Sequence, residues 1–240
     1  MEINEFSKKM INLGNQINIV FKEEQIRKFY TYMNLLIEWN NKINLTAITE
    51  PNEIIIKHFI DSLTILKYFE DKKTVIDVGT GAGFPGIPIK IMKENVKVTL
   101  LDSLNKRINF LNEVIEQLEL KNIKTVHSRI EDFGRNKKNR EKFDVVTSRA
   151  VANLTTLSEY MVPLTKIGGK CICMKGLNVE EEIEKSKNAI KILGGEIVKI
   201  EKLKLPEEKS DRNIIIINKQ KNTPAKYPRK AGTPSREPIQ

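Results

Sequence analysis

Cysteine, histidine and long apolar runs are scarce in this chain, and each scarcity closes a class of function. There are 2 cysteines and 2 histidines in 240 residues. Cys171 and Cys173 stand two apart in an apolar run. On a strand their side chains point the same way, which reads as packing rather than as a disulfide. With His58 and His127 as the only histidines, no zinc-ligand spacing exists and no metal is expected. No apolar stretch approaches the roughly 20 residues that span a bilayer, and the opening MEINEFSKKM lacks the apolar core of a signal peptide. A cytoplasmic protein with no membrane partner is expected.

What is present is an ordinary globular composition with a basic excess. The chain is 40% apolar and 30% charged, the balance of a folded protein, and is long enough for one large domain. Its net charge is +10, which favours encounter with polyanions without specifying a fold. The charge is uneven. Lys219, Lys221, Lys226, Arg229, Lys230 and Arg236 face a single acid, Glu237, after residue 218, and a second basic cluster lies between Arg135 and Lys142. A lysine-rich solvated surface explains such runs as well as nucleic acid does.

Residues 1–70 read as helical. Ile26, Phe29, Tyr30, Met33 and Leu36 recur at the spacing of one helix face. Thr49 and Pro51 suit a helix start, with Ile55, Phe59, Leu63 and Leu66 continuing a stripe. The Asn-rich stretch from Trp39 to Thr46 reads as an irregular connector outside the core. From residue 74 the pattern becomes strands alternating with helices: 74–78, 96–101, 123–127, 143–147, 170–174, 196–203 and 213–218. That alternation implies right-handed crossovers and a mostly parallel sheet. The last two strands have only the turn 205–210 between them and read as an antiparallel pair at the sheet edge.

The strongest local signal is Val75-Ile-Asp-Val-Gly-Thr-Gly-Ala-Gly-Phe-Pro-Gly86. Gly79, Gly81 and Gly83 follow a buried strand and precede a proline suited to a first helical turn. Such a loop lies at the carboxyl end of the sheet, where ligands of open α/β folds bind. Gly81, Gly83 and Gly86 also fit a dinucleotide fingerprint, with Asp102 about twenty residues on, but a lone match of that kind is weak. Asp77-Val-Gly directly at the strand end, with the antiparallel final pair, resembles the first motif of class I S-adenosylmethionine methyltransferases. Asp102, ending the second strand, can accept from both ribose hydroxyls or cap the helix that follows. In class I methyltransferases the loop after strand three contacts adenine. Ile130 and Glu131 fit an apolar flank and an acceptor there, and a plain surface turn fits as well. Arg149, at the end of strand four, sits where cofactor and target meet and is the candidate catalytic residue, able to hold a carboxylate or guanine O6. The other reading of Arg149 is a surface ion pair. Lys175 is a weaker candidate of the same kind, and His58 reads as a packed helix-face residue.

Thr147-Ser-Arg-Ala150 lacks the Asn/Asp-Pro-Pro-aromatic turn of amino methylation, and no exposed cysteine is placed for attack on a pyrimidine. A ring nitrogen with a free lone pair needs no general base. The segments Asn40 to Thr46, His58 to Ser62, Asp77 to Pro88, Asp102 to Arg107, Ser148 to Ala150 and Tyr227 to Pro234 together resemble the bacterial ribosomal RNA small-subunit methyltransferase G, or glucose-inhibited division protein B, family. Ala231 departs from the family's usual proline. The resemblance implies methyl transfer to N7 of a guanine in the decoding-region loop of 16S rRNA, free or in a small-subunit assembly intermediate. It implies cofactor contacts at Gly79, Phe84, Ile130, Glu131 and Arg149, to which the residue reading adds Gly81, Gly83 and Asp102. The fold expected is a Rossmann-like, mostly parallel seven-stranded sheet. It is divided as a helical cap (1–70), a cofactor-binding domain (71–220) and a basic tail (221–240). In that tail Lys226, Arg229, Lys230 and Arg236 are the RNA-contact candidates. The alternatives left open are a methyltransferase of a small molecule or protein and an NAD-binding oxidoreductase.

Overall fold

The computed structural model describes residues 1–176, 179–208 and 211–240, so Lys209 and Ser210 of the expected 205–210 turn lie outside the described residues. Seven strands form one sheet: β1 (Thr74–Val78), β2 (Lys97–Asp102), β3 (Ile123–His127), β4 (Phe143–Arg149), β5 (Thr165–Lys175), β6 (Gly195–Lys204) and β7 (Asp211–Lys219). Their order is β3-β2-β1-β4-β5-β7-β6. β1 to β5 are parallel to one another, whereas β7 runs antiparallel to both β5 and β6. The final pair is therefore antiparallel and at one edge of the sheet, as expected, with β6 outermost. Residues Ile214 to Ile217 are all buried, which suits a strand with neighbours on both sides. β6 exposes most of its positions and carries Lys199, Glu201 and Lys202, charges that discourage further pairing.

Helices fill both faces. The N-terminal layer comprises α1 (Ile3–Gln16), α2 (Glu23–Ile43) and a helical run here called α3, made of Pro51–Ile54, a π-wound turn Ile55–Ile60 and Asp61–Leu63. Between the strands lie α4 (Gly86–Met92), α5 (Asn105–Gln117), α6 (Ile130–Arg135), α7 (Leu154–Met161) and α8 (Glu180–Ile192), and α9 (Thr233–Arg236) closes the chain. α2 extends through much of the stretch expected to be an irregular connector. Its extra turn keeps Asn41 and Lys42 in solvent while Trp39 and Ile43 pack on the core. Asn44 ends it at φ 49°, a left-handed conformation that asparagine tolerates. Leu45, in the same stretch, is buried.

Two apolar clusters sandwich the sheet. One joins Phe6, Phe29, Tyr32, Phe59 and other residues of the N-terminal layer to Val75, Leu100 and Phe110. The other joins Val78, Val146, Leu157, Cys171 and Cys173 to Tyr227 and Ile239. The thiols of Cys171 and Cys173 are free and fully enclosed, and burial pushes the Cys171 thiol up to about 11, so neither is a nucleophile. The C-terminal segment is packed rather than loose. Arg140, from the second basic cluster, donates to the carbonyls of Tyr227 and Thr223. Lys219 is fully buried, donating to the Val162 carbonyl at 2.9 Å and paired with Glu141 at 3.1 Å. Both charges counted as basic surface in the sequence instead hold the segment down.

Candidate active site

The parallel register aligns the carboxyl ends of the central strands, with Asp77 opposite Leu100 and Thr147, and Asp102 opposite His127. Loops leaving these ends enclose a cleft of about 580 Å³, lined by Gly79, Gly81, Phe84, Asp102, Ile130, Glu131 and Arg149 among others. That size is in the range of small-molecule sites, roughly 300–1,000 Å³. Seven residues proposed from sequence thus face one space. Gly83 does not line it. A Cβ on Gly83 would meet Ile87 and the Tyr32 hydroxyl at 2.6 Å, so this glycine serves close packing of the loop on the helices beneath. Lys175 is absent from the lining as well, donating to Glu182 and the Ala152 carbonyl, each at 2.7 Å.

The glycine loop is held from below by Asp77. Its Oδ2 accepts from the Thr80 hydroxyl at 2.6 Å and the Gly86 amide at 2.9 Å, while its buried Oδ1 has no partner among the described residues. Burial raises its pKa to about 6, against the lowering effect of those two bonds. The loop backbone is left-handed at Gly79 and Gly81, with φ of 67° and 60°. A Cβ at Gly79 would strike Val151 at 2.6 Å, whereas one at Gly81 would meet nothing within 4 Å. Gly81 therefore presents bare backbone to the cleft, the surface a closely approaching ligand needs.

Of the two roles that the sequence left open for Asp102, the structure shows the cap. Its Oδ1 accepts from the Leu104 amide at 2.9 Å, at the start of α5, and its Oδ2 accepts from Gly81 N–H at 2.9 Å and Arg107 at 3.3 Å. A carboxylate offers about four lone-pair sites. One site, on Oδ1, is left for a ligand hydroxyl, so the carboxylate is not open to both hydroxyls of a ribose. Glu131 is similarly shared: it is buried at the start of α6, and its Oε1 accepts from the Gly232 amide of the C-terminal segment at 2.8 Å.

Arg149 is neither a free cation nor half of a surface pair. Its Nη1 donates to the buried Asp61 carboxylate at 3.0 Å and to the Lys57 carbonyl at 2.8 Å, and its Nη2 lies 3.0 Å from His58 Nδ1. The guanidinium stands 5.0 Å from the Phe84 ring centroid, and the His58 imidazole stacks on the same ring at 4.4 Å. Asp61 also accepts from Arg212 at 3.2 Å. Burial, then the positive charge of Arg149, lower the His58 pKa to about 3, so the ring is neutral. The π-wound turn of α3 supplies Lys57 and His58 to this network, which no helical periodicity would single out. His58, Thr46, Arg107 and Arg129 all line the cleft and were not site candidates. The signal for His58 was its place in a distinctive segment, while Arg129 carried none beyond its place next to Ile130.

Among the described residues no cluster of three or more His, Cys, Asp or Glu side chains could hold a metal, and no helix is long and apolar enough to cross a membrane. The sheet order, the glycine loop and the acid ending β2 define a class I methyltransferase. A S-adenosylmethionine-dependent methyltransferase from Aquifex aeolicus has the same fold, with a TM-score of 0.51 at 19% identity over 70% of this chain and 93% of that one. Over residues 25–215 the chain matches the family described as rRNA small subunit methyltransferase G, and it belongs to that family. Relatives named ribosomal RNA small subunit methyltransferase G include one from Desulforamulus reducens, 52% identical over 99% of this chain and 100% of its own length. Another, from Clostridium perfringens strain 13, is 54% identical over 94% and 95%.

Proposed function

We propose that this chain transfers the methyl group of S-adenosylmethionine to N7 of a guanine in the decoding-region loop of 16S rRNA, either free or in a small-subunit assembly intermediate. The observation that supports it most is the convergence of Gly81, Asp102, Glu131 and Arg149 on one cleft in a member of this family. The residues fit the cofactor. Gly81 admits close approach, Asp102 keeps one lone pair for a ribose hydroxyl, and Ile130 with Glu131 offers an apolar flank and a carboxylate. When bound, S-adenosylmethionine supplies an electrophilic methyl on a sulfonium sulfur.

The chain's own residues then position and shield. N7 carries a lone pair and no proton, so no general base is required. His58 suits that chemistry, because its one unprotonated nitrogen already faces Arg149. The Arg149–Asp61 pair is tied down in a buried site and does not have to reorganise as charge moves from sulfur to the base. Arg129 on the cleft wall, and outside the cleft Lys226, Lys230 and Arg236 on the C-terminal segment, are exposed and able to meet phosphates. Arg229 is withdrawn from that set, because its guanidinium and amide both bind the buried Glu159, at 2.7 and 2.8 Å.

The test is transfer of labelled methyl to 16S rRNA and to small-subunit particles, with modified positions read by borohydride reduction and aniline cleavage, which report N7-methylguanosine. One cleavage site in the decoding-region loop is expected. Label incorporated without cleavage would refute the N7 target. S-adenosylhomocysteine at a hundred times its dissociation constant should add about 2.7 kcal/mol of stability and NAD none. Stabilisation by NAD alone would favour an oxidoreductase.

A further inference from the structure

Thr46 stands on the cleft wall beside His58, in the segment that leaves α2, and its hydrogen bonds have a fixed direction. An arginine can only donate, so Arg149 Nη2 against His58 Nδ1 makes that nitrogen the acceptor. The neutral ring then carries its hydrogen on Nε2. Nε2 lies 3.0 Å from Thr46 Oγ1 and donates to it. The Ile48 amide donates to the same oxygen at 3.1 Å. A hydroxyl has two acceptor sites and one hydrogen. Both sites are filled, and among the described residues no acceptor takes the hydrogen. The chain Asp61–Arg149–His58–Thr46 therefore ends in an O–H whose polarity is set by a buried ion pair and which can serve only as a donor to something in the cleft.

We infer that the Thr46 hydroxyl is a specificity donor for the target base, hydrogen-bonding guanine O6 while N7 accepts the methyl group. The inference rests on the guanine-N7 reading above. Guanine presents N7 and O6 side by side as acceptors, whereas adenine places an amino donor beside its N7. A fixed donor welcomes the first and opposes hydrogen to hydrogen in the second. Thr46 belongs to the N-terminal layer and not to the strand-end loops that carry the glycines and Asp102, which assigns its hydroxyl to the base rather than to the cofactor.

The experiment is a double-mutant cycle between protein and RNA: wild type, Thr46→Val and Thr46→Ser, each in single turnover on 16S rRNA carrying either guanine or 2-aminopurine at the target position. 2-Aminopurine keeps N7 and lacks O6. Wild type should favour guanine by about ten- to a hundredfold. Thr46→Val should lose about that factor on guanine RNA and little on 2-aminopurine RNA, while Thr46→Ser stays within about threefold of wild type on both. Affinity for S-adenosylhomocysteine should be unchanged in both variants. Equal slowing of Thr46→Val on the two RNAs, or weakened S-adenosylhomocysteine binding, would overturn the inference. The wild-type comparison of the two bases stands even if Thr46→Val fails to fold, and no preference for guanine would be equally fatal. Absence of transfer by wild type to either RNA would instead bring down the guanine-N7 reading itself.

Discussion

The N-terminal layer and the C-terminal segment both reach the cleft, yet apolar packing and polar contacts hold them in different proportions. The N-terminal layer reaches it through Thr46 and His58, backed by an aromatic cluster in which Phe59 lies 5.0 Å from Phe29, 5.4 Å from Tyr32 and 6.1 Å from Phe84. The C-terminal segment reaches it through Gly232 and Ser235; its Tyr227 and Ile239 join the apolar core, and polar contacts hold the rest: Arg229 to Glu159, Arg140 to backbone carbonyls, the Gly232 amide to Glu131, and Thr156 to the Pro234 carbonyl at 3.1 Å. Area-driven packing is non-directional and cooperative with the whole core, whereas each polar anchor can be removed alone. The wall with more polar anchors is therefore expected to open locally at lower cost than the other.

The largest effect should come from the first wall. Phe59→Ala removes a fully buried ring shared by four aromatic neighbours and should cost about 3–5 kcal/mol. The measurement is equilibrium urea unfolding. A loss under about 1 kcal/mol would mean that the layer is only loosely docked. Arg229→Ala leaves Glu159, 1% exposed, with only a backbone donor from that residue. Breaking a buried pair costs about 3–5 kcal/mol, and the partly exposed arginine brings the expectation nearer 2–3. Hydrogen exchange should locate the loss in residues 223–237 more than in the sheet. A uniform rise in exchange would erase the contrast between the two walls.

The pH dependence should belong to the N-terminal side. His58 has a folded pKa of about 3 against an ordinary 6.5, so the unfolded chain binds a proton that the folded one refuses. Its contribution is complete above pH 6.5 and is lost as pH falls, by about 1.4 kcal/mol per unit, down to about pH 3. Asp77 works in the opposite direction, because its folded pKa is raised to about 6 from 3.8. Stability from that group is present below pH 3.8 and is lost as pH rises to about 6. Chemical denaturation of wild type and His58→Gln at several pH values isolates the first term. A stability difference that does not change with pH would show that His58 titrates alike in the folded and unfolded chain. The smallest effect concerns the exposed charges. The triple variant of Lys226, Lys230 and Arg236 to alanine should leave cofactor affinity unchanged and flatten the log affinity against log salt line by about 2 units, near 0.7 per lost phosphate contact on single-stranded RNA. Parallel lines in filter binding would return these residues to plain solvated surface.

Much of this was written in local pattern. The alternation of strands and helices, the glycine loop and the acid ending β2 follow from periodicity and turn chemistry, which act over a few residues and are readable one segment at a time. The position of β7 between β5 and β6 was less plain, because an antiparallel pair looks the same from sequence whichever strand lies outermost. Its unbroken Ile214 to Ile217 run was the one available clue.

What the sequence by itself determined is the class of fold, the place of the cleft and the family, since these rest on residue types at short spacing. What only the tertiary structure decided is which charges are free. Lys219, Arg140 and Arg229 count as basic surface in one dimension and are spent on Glu141, backbone carbonyls and Glu159 in three. Arg149 read either as a surface ion pair or as a ligand-holding residue; it is bound to the buried Asp61, 88 positions away, and through His58 gives Thr46 its direction. The reason is physical. The cost of burying a charge is met by a partner anywhere in the chain, so the pairing is set by how the layers close over the sheet and leaves no period in the sequence to read.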